Sequence, residues 1–288
     1  MTDFVDRFIR SCRIIKASYK VLDADGELLF LPILSGIVTA VVGGGLIYQS
    51  YTLGTFDALK DGDAAKLQGI YVWLFGFYVV EYFIIYFFNT ALVGAAIARL
   101  DGGDPTVGSA LALAFRRTWQ ILGYAIISAT VGIILRMVAE RIGFVGRLIA
   151  AGLGLAWTVA TFLVVPVMAA EGVGPIEAIE KSAALLKKSW GENLIGNASI
   201  SVVFGSIGAA VILVGYGGGL WLHNRGNDGA ALLLAIACAM LLAAVAILGS
   251  ALAGVYQAAV YYFTVIGEPP DGFDKGLIRD AFAPKATS

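Results

Sequence analysis

Long apolar runs separated by short polar stretches organise this chain. Six runs are long enough to cross a hydrocarbon core of about 30 Å, which takes about 20 helical residues. They are residues 28–48, 70–98, 119–135, 148–170, 194–222 and 229–255. Only the second contains an Asp, Glu, Lys or Arg, at Glu81. Lipid offers the backbone no hydrogen-bond partner, so each run is predicted to be a helix. The third is the shortest and is expected to extend past Arg136 by snorkelling of that side chain. The second and fifth exceed the core thickness, so they tilt or protrude. The aromatic-rich stretch 256–266 is expected to carry the last helix into the headgroup layer, which suits Tyr and Trp. Pro166, inside the fourth run, predicts a kink whose freed backbone groups are satisfied by neighbouring helices.

The polar stretches share a pattern. Lys16-Ala17-Ser18-Tyr19 precedes the first run, Arg116-Arg117-Thr118-Trp119 the third and Lys187-Lys188-Ser189-Trp190 the fifth. Pro105 and Pro175 stand ahead of the second and third copies, and proline suits the first turn of a helix. The spacing predicts a short amphipathic helix before each pair of spans. Its apolar face would be Phe4, Phe8, Cys12, Ile15 and Tyr19 in the first copy, and Leu111, Phe115 and Trp119 in the second. In the third it would be Ile176, Ile179, Ala183, Leu186 and Trp190. Such helices lie in the membrane interface with cations toward anionic headgroups, which makes Tyr19, Arg116, Arg117, Trp119, Lys187, Lys188 and Trp190 candidate interfacial anchors. Three such units in series suggest parallel repeats about an axis along the membrane normal, unlike the inverted repeats of many ion-coupled transporters.

Composition agrees with the pattern. Of 288 residues, 59% are hydrophobic and 14% charged, with a mean hydropathy of +0.82. Soluble domains carry about 25% charged residues, so the surplus apolar surface calls for lipid. A net charge of −1 gives no nucleic-acid footprint. Cys12, Cys238 and the single histidine, His223, form no metal or disulfide pattern. Some 27 mixed residues precede the first apolar run, so it reads as a retained anchor rather than a cleaved signal. With the N-terminus inside, fourteen of the twenty Lys and Arg residues fall on the cytoplasmic side and six outside. That asymmetry places both termini in the cytoplasm, although Arg136, Arg141 and Arg147 crowd one external turn.

Two groups of motifs resemble known proteins. Gly102-Gly103-Asp104-Pro105 through Arg116-Arg117-Thr118-Trp119 resembles a signature of prokaryotic membrane proteins that include the membrane domain attached to glycerophosphodiester phosphodiesterases. Tyr261-Tyr262-Phe263, Gly267-Glu268-Pro269-Pro270, Gly272-Phe273-Asp274 and Ala281-Phe282 resemble the end of an uncharacterised family of six-helix prokaryotic integral membrane proteins. The resemblance runs the length of the chain and implies a fold without an assigned activity. The soluble phosphodiesterase domain has no counterpart here: the chain has no room for its barrel and no cluster of acids and histidines for its metal.

Candidate chemistry centres on Glu81. It lies eleven residues into the second run, about 16 Å from the outer end and close to the bilayer midplane. An ionisable residue there is costly and marks a functional hypothesis, and desolvation favours the neutral acid. Ser128, Thr130 and Thr158 share its depth and are its expected hydrogen-bond partners. Two readings stay open: a protonated structural carboxyl, or a coupling site for protons or cations. Asn89 and Asn197 read as interhelical glue at about 0.6 kcal/mol per bond. Ser201, Gly205 and Ala209 allow a close helix contact within or between subunits. The glycine runs Gly43-Gly44-Gly45 and Gly217-Gly218-Gly219 lack the strand–turn–helix context of a phosphate loop, which excludes nucleotide binding. His223 reads as a surface-loop residue.

The expected fold is all-α: a polytopic membrane bundle of six transmembrane helices in three hairpins, each preceded by a short amphipathic interfacial helix. Residues 1–288 form a single transmembrane domain, divided into the N-terminal amphipathic segment (1–27), hairpin one (28–98), interfacial helix and hairpin two (99–170), interfacial helix and hairpin three (171–267) and a cytoplasmic tail (268–288). The expected function is non-enzymatic, without cofactor, metal, nucleotide or nucleic acid, in a multi-pass protein of the cytoplasmic membrane. It would act through membrane lipids, a protein partner or a second copy of itself. The alternative is a small-solute or proton-coupled transporter or channel built around Glu81.

Overall fold

The computed structural model describes residues 26–52, 64–141, 143–189 and 195–266. Among these residues the protein is all-α, without a strand. After a 3-10 turn, Gly26–Leu29, the helices are α1 (Phe30–Thr52), α2 (Ala64–Leu100), α3 (Val107–Arg116), α4 (Thr118–Arg141), α5 (Gly143–Ala160), α6 (Val164–Glu171), α7 (Pro175–Ser189), α8 (Ile195–Asn224) and α9 (Asp228–Ile266). Six helical stretches are long and apolar enough to cross a membrane: Gly26–Thr52, Gly69–Leu100, Thr118–Arg141, Gly143–Glu171, Val203–Asn224 and Asp228–Ile266. They coincide with the six predicted runs. Two expectations about their ends hold as well: α4 continues past Arg136, and α9 runs unbroken through residues 256–266.

Helix α2 is the hub, packing against α1, α3, α4, α6 and α9. Helix α8 rests chiefly on α9. Their contact does not use the predicted Gly205 and Ala209, which are exposed. It uses the adjoining face, where Gly208, Gly215 and Gly218 meet Leu242, Cys238 and Leu234 of α9. Ser201 has a side chain outside the described residues.

The predicted kink is a full break. The fourth span divides at residues 161–163 into α5 and α6, with Pro166 in the first turn of α6. Proline lacks an N–H and crowds the carbonyl four residues earlier, here that of Phe162. The chain tightens, with Phe162 N–H bonding Val159 O at 3.1 Å and Val164 N–H bonding Thr161 O at 3.1 Å. The amide of Leu163 is then left out of the helical ladder. It donates instead to Ser182 Oγ of α7 at 3.0 Å, in a fully buried position.

Helices α3 and α7 dock through small residues. Buried on α3 are Ala110 and Ala114, and on α7 Ala178, Ser182 and Leu186. Of the residues expected on the apolar faces, Phe115 is 68% exposed, Trp119 81% and Ile176 66%. Leu111 and Ile179 are partly buried against the core. The starts also differ. Pro175 is the first residue of α7, as expected, whereas Pro105 stands one residue before Thr106, the N-cap of α3. Thr106 and Ser109 form a reciprocal capping box at 3.0 and 3.2 Å. The amphipathic helix expected around Phe4–Lys20, including Tyr19, lies outside the described residues.

Candidate functional site

The two faces of α2 carry different chemistry. Toward α4 it presents a ladder of stacked rings, Tyr78–Tyr82–Tyr86, with centroids 6.1 and 5.8 Å apart, continued by Tyr124 of α4 at 4.5 Å from Tyr86. The spacing of four residues puts these rings in line. Tyr86 OH donates to Ser128 Oγ at 3.1 Å.

Glu81 lies off this ladder, against α1. It is buried, and a Cβ placed on Gly43 would stand 2.6 Å from its Oε1 and 3.3 Å from its carboxyl carbon. Only glycine fits there without displacing the carboxyl. Glu81 Oε1 has no hydrogen-bond partner. The expected partners are committed elsewhere: Ser128 to Tyr86, Thr130 Oγ1 to Ile126 O at 2.8 Å, and Thr158 Oγ1 to Gly154 O at 2.9 Å. Equal depth did not bring them together, because Glu81 is rotated toward the first span and not toward the third or fourth.

One helical turn from Glu81, a groove of about 380 Å³ runs between α1, α2 and α9. Its polar lining is Ser35 and Thr39 of α1, Asn89 of α2, and Ser250 and Gln257 of α9. Pro32, Ile85, Phe88 and Leu92 supply apolar walls. Thr39 Oγ1 and Gln257 Oε1 are covered and unpartnered. An unsatisfied buried polar group costs about 1–3 kcal/mol, so two at one groove call for an explanation. The rim is exposed at Gly36, Ala246 and Ser250, and Ile85 is 42% exposed. The groove therefore opens sideways. Gly254 lets α9 approach α2 here: a Cβ would fall 2.7 Å from Leu92 and 3.4 Å from Asn89 Oδ1. Asn89 is thus at the site with Glu81 nearby, while the side chain of Asn197, in α8, lies outside the described residues.

A second polar cluster ties three helices together. Glu171, at the end of α6, accepts from Lys181 of α7 at 2.7 Å and from Tyr261 OH of α9 at 3.1 Å. Lys181 also pairs with Glu177 at 3.0 Å. The Glu171 carboxylate, then that of Glu177, holds the Lys181 ammonium above the ordinary lysine range. Next to Glu171, Gly172 caps α6 at φ 69°, and the Arg117 guanidinium rests where a Cβ of that residue would be. Gln120 Nε2 donates to Gly172 O at 3.2 Å. Among the predicted anchors, Arg117 is thus half-buried in a corner of the bundle, and Arg116, Trp119 and Lys187 are exposed. The side chain of Lys188, like all of Trp190, lies outside the described residues.

Sequence reasoning missed Gly43, Thr39 and Gln257. The signal for Gly43 was present in the Gly43-Gly44-Gly45 run, which marks a close approach within a span and not a phosphate loop. Thr39 and Gln257 gave none, because a single neutral polar residue in a span does not show which way it faces.

Six helical stretches long and apolar enough to cross a membrane define a multi-pass integral membrane protein. The chain belongs to a family of unknown function (DUF6159), which matches residues 68–271. The match takes in the second to sixth spans and ends before the Gly272-Phe273-Asp274 motif. It bears on the uncharacterised family alone and says nothing of the membrane domain of glycerophosphodiester phosphodiesterases. No curated protein matches the chain.

Proposed function

We propose that this is a non-enzymatic membrane protein that holds a membrane-borne partner in the groove between α1, α2 and α9. The observation that carries the reading is the pair of unpartnered oxygens, Thr39 Oγ1 and Gln257 Oε1, on a groove that opens sideways. Concave sites with mostly apolar walls and a few polar groups are the usual form of small-molecule pockets, which span roughly 300–1,000 Å³. The polar groups lining this one are hydroxyls and carboxamides. Such groups hold a ligand by hydrogen bonds and do not ionise at neutral pH.

The topology belongs to the same proposal. The spans form three hairpins, α3 and α7 lie along the membrane surface, and both termini face the cytoplasm of a cell with this protein in its cytoplasmic membrane. Exposed Trp119, Arg116 and Lys187 support an interfacial position for these helices. The partner is a lipid or another membrane-embedded molecule, including a second copy of the chain. The reading is tested by native mass spectrometry of the protein released from mild detergent. A retained adduct that disappears in Ser250→Trp, a rim substitution at an exposed residue, is the expected result. No adduct, or one indifferent to Ser250→Trp, would refute it.

A transporter reading is favoured by one observation: Glu81 Oε1 is unpartnered a turn beyond the groove. Flux across proteoliposomes that falls in Glu81→Gln would support it. Absent flux, or equal flux in both proteins, would remove it.

A further inference from the structure

The geometry points to a neutral, hydroxyl-bearing glycerolipid of the diacylglycerol type as the occupant of the groove, an inference that rests on the binding role proposed above. Three features select this chemistry. First, among the described residues no charged side chain lines the groove. A phosphate headgroup would enter without a cation to meet it, at the cost of desolvating its charge. Second, the orphaned atoms are oxygens: the Gln257 carbonyl only accepts hydrogen bonds, and the Thr39 hydroxyl both accepts and donates. The complementary ligand supplies a hydroxyl donor together with ester oxygens. Both side chains line the groove but hold these oxygens covered, so binding draws each out by a side-chain rotation.

Third, the position suits a glycerol backbone. The groove runs along the first three turns of α1 from Pro32 to Thr39, and along α9 from Ala246 to Gln257, with Gln257 nearest a helix end. Helix α9 has 39 residues, about 58 Å at 1.5 Å per residue. That exceeds the about 40–45 Å of a whole bilayer, so the helix ends protrude. Gln257 is about 13 Å from the Ile266 end, which sets it near the level where the hydrocarbon core meets the headgroups. A volume of about 380 Å³ holds the glycerol and the first carbons, and the exposed rim at Gly36 and Ala246 lets the chains continue into the bilayer.

The test uses the full chain in nanodiscs doped with photoactivatable diacylglycerol, phosphatidylcholine or phosphatidylglycerol carrying the same acyl chains. Diacylglycerol is expected to label α1 and α9 peptides at the groove at least about tenfold more than the other two, given two recovered hydrogen bonds. Gln257→Leu and Thr39→Val should each lower that labelling about fivefold, whereas Thr130→Val, outside the groove, should not. Circular dichroism and monodispersity of each variant establish that it folds. Equal labelling by all three lipids that Ser250→Trp abolishes would overturn the headgroup assignment and leave the binding role standing. Labelling that is absent, or indifferent to Ser250→Trp, would overturn both.

Discussion

Ser182→Ala tests whether one hydroxyl sustains the break in the fourth span. The substitution removes a single oxygen and leaves the shape of the site almost unchanged. What it takes away is the only hydrogen-bond acceptor shown for the Leu163 amide, 3.0 Å distant and sealed from solvent. Stranding a buried donor costs about 1–3 kcal/mol, equivalent to about a 5- to 150-fold shift in an equilibrium. The loss should appear in two ways: in reversible unfolding of the protein in mixed detergent–lipid micelles, and as faster hydrogen exchange at the Leu163 amide. Pro166→Ala supplies the control. An alanine restores an N–H that can reach Phe162 O, the helix can then run through, and the Leu163 amide can turn back to Val159 O. Ser182→Ala should therefore cost markedly less in the Pro166→Ala background, and this coupling is the signature of the proposed cause. An unchanged stability and exchange rate in Ser182→Ala, or the same cost in both backgrounds, would refute the reasoning.

Two further substitutions test the site and the cluster beside it. Gly43→Ala should destabilise the protein by about 1–3 kcal/mol, because its Cβ meets the Glu81 carboxyl and overpacks the α1–α2 contact. With Glu81→Ala present the sign should reverse toward the helix-propensity gain of about 1 kcal/mol; unfolding titrations of the four proteins read the difference, and equal effects of Gly43→Ala in both backgrounds would disprove the contact. The Lys181 ammonium is held above its ordinary 10.5 by Glu171 first and Glu177 second. A raised value in the folded state means that its contribution is complete below 10.5 and is lost as pH climbs through the raised value. In Glu171→Gln the Lys181 titration, followed by heteronuclear NMR of the side chain, should move back toward 10.5; an unmoved titration would show that Glu171 is not the cause.

Each level of the structure was legible only where the physics is local. The spans could be read because length and apolarity decide whether a helix fits a bilayer, and the position of the break could be read because proline removes its own N–H. Ser182, which satisfies that break, lies on another helix 19 residues away, and no pattern in one segment announces it. The same limit hid the surroundings of Glu81. Depth along a span follows from counting residues, but rotation about the helix axis and choice of neighbour do not, so Ser128, Thr130 and Thr158 were matched to it by height alone. Gly43 was the one legible clue, since a span has little reason to give up a side chain except where another group comes close.

The faces of α3 and α7 raise a different point. In water a helix turns its large apolar side chains inward, whereas Phe115, Trp119 and Ile176 were expected on the face of an interfacial helix that is turned toward the membrane. Trp119 and Ile176 face outward and the largely exposed Phe115 meets the Phe87 ring edge-on at 4.9 Å, while Ala110, Ala114, Ala178 and Ser182 make the contact. Lipid inverts the rule: burying a large apolar side chain gains little when the solvent is itself apolar, whereas small residues gain close packing and interhelical hydrogen bonds. That Ile176 points away from the bundle therefore supports a lipid-facing position for α7, by an argument independent of the charge pattern that first suggested it. The groove follows the same logic. Close contacts at Gly43 and Gly254 draw α1 and α9 onto α2, and the groove left between them is where Thr39 and Gln257 keep oxygens that no helix of the described bundle satisfies.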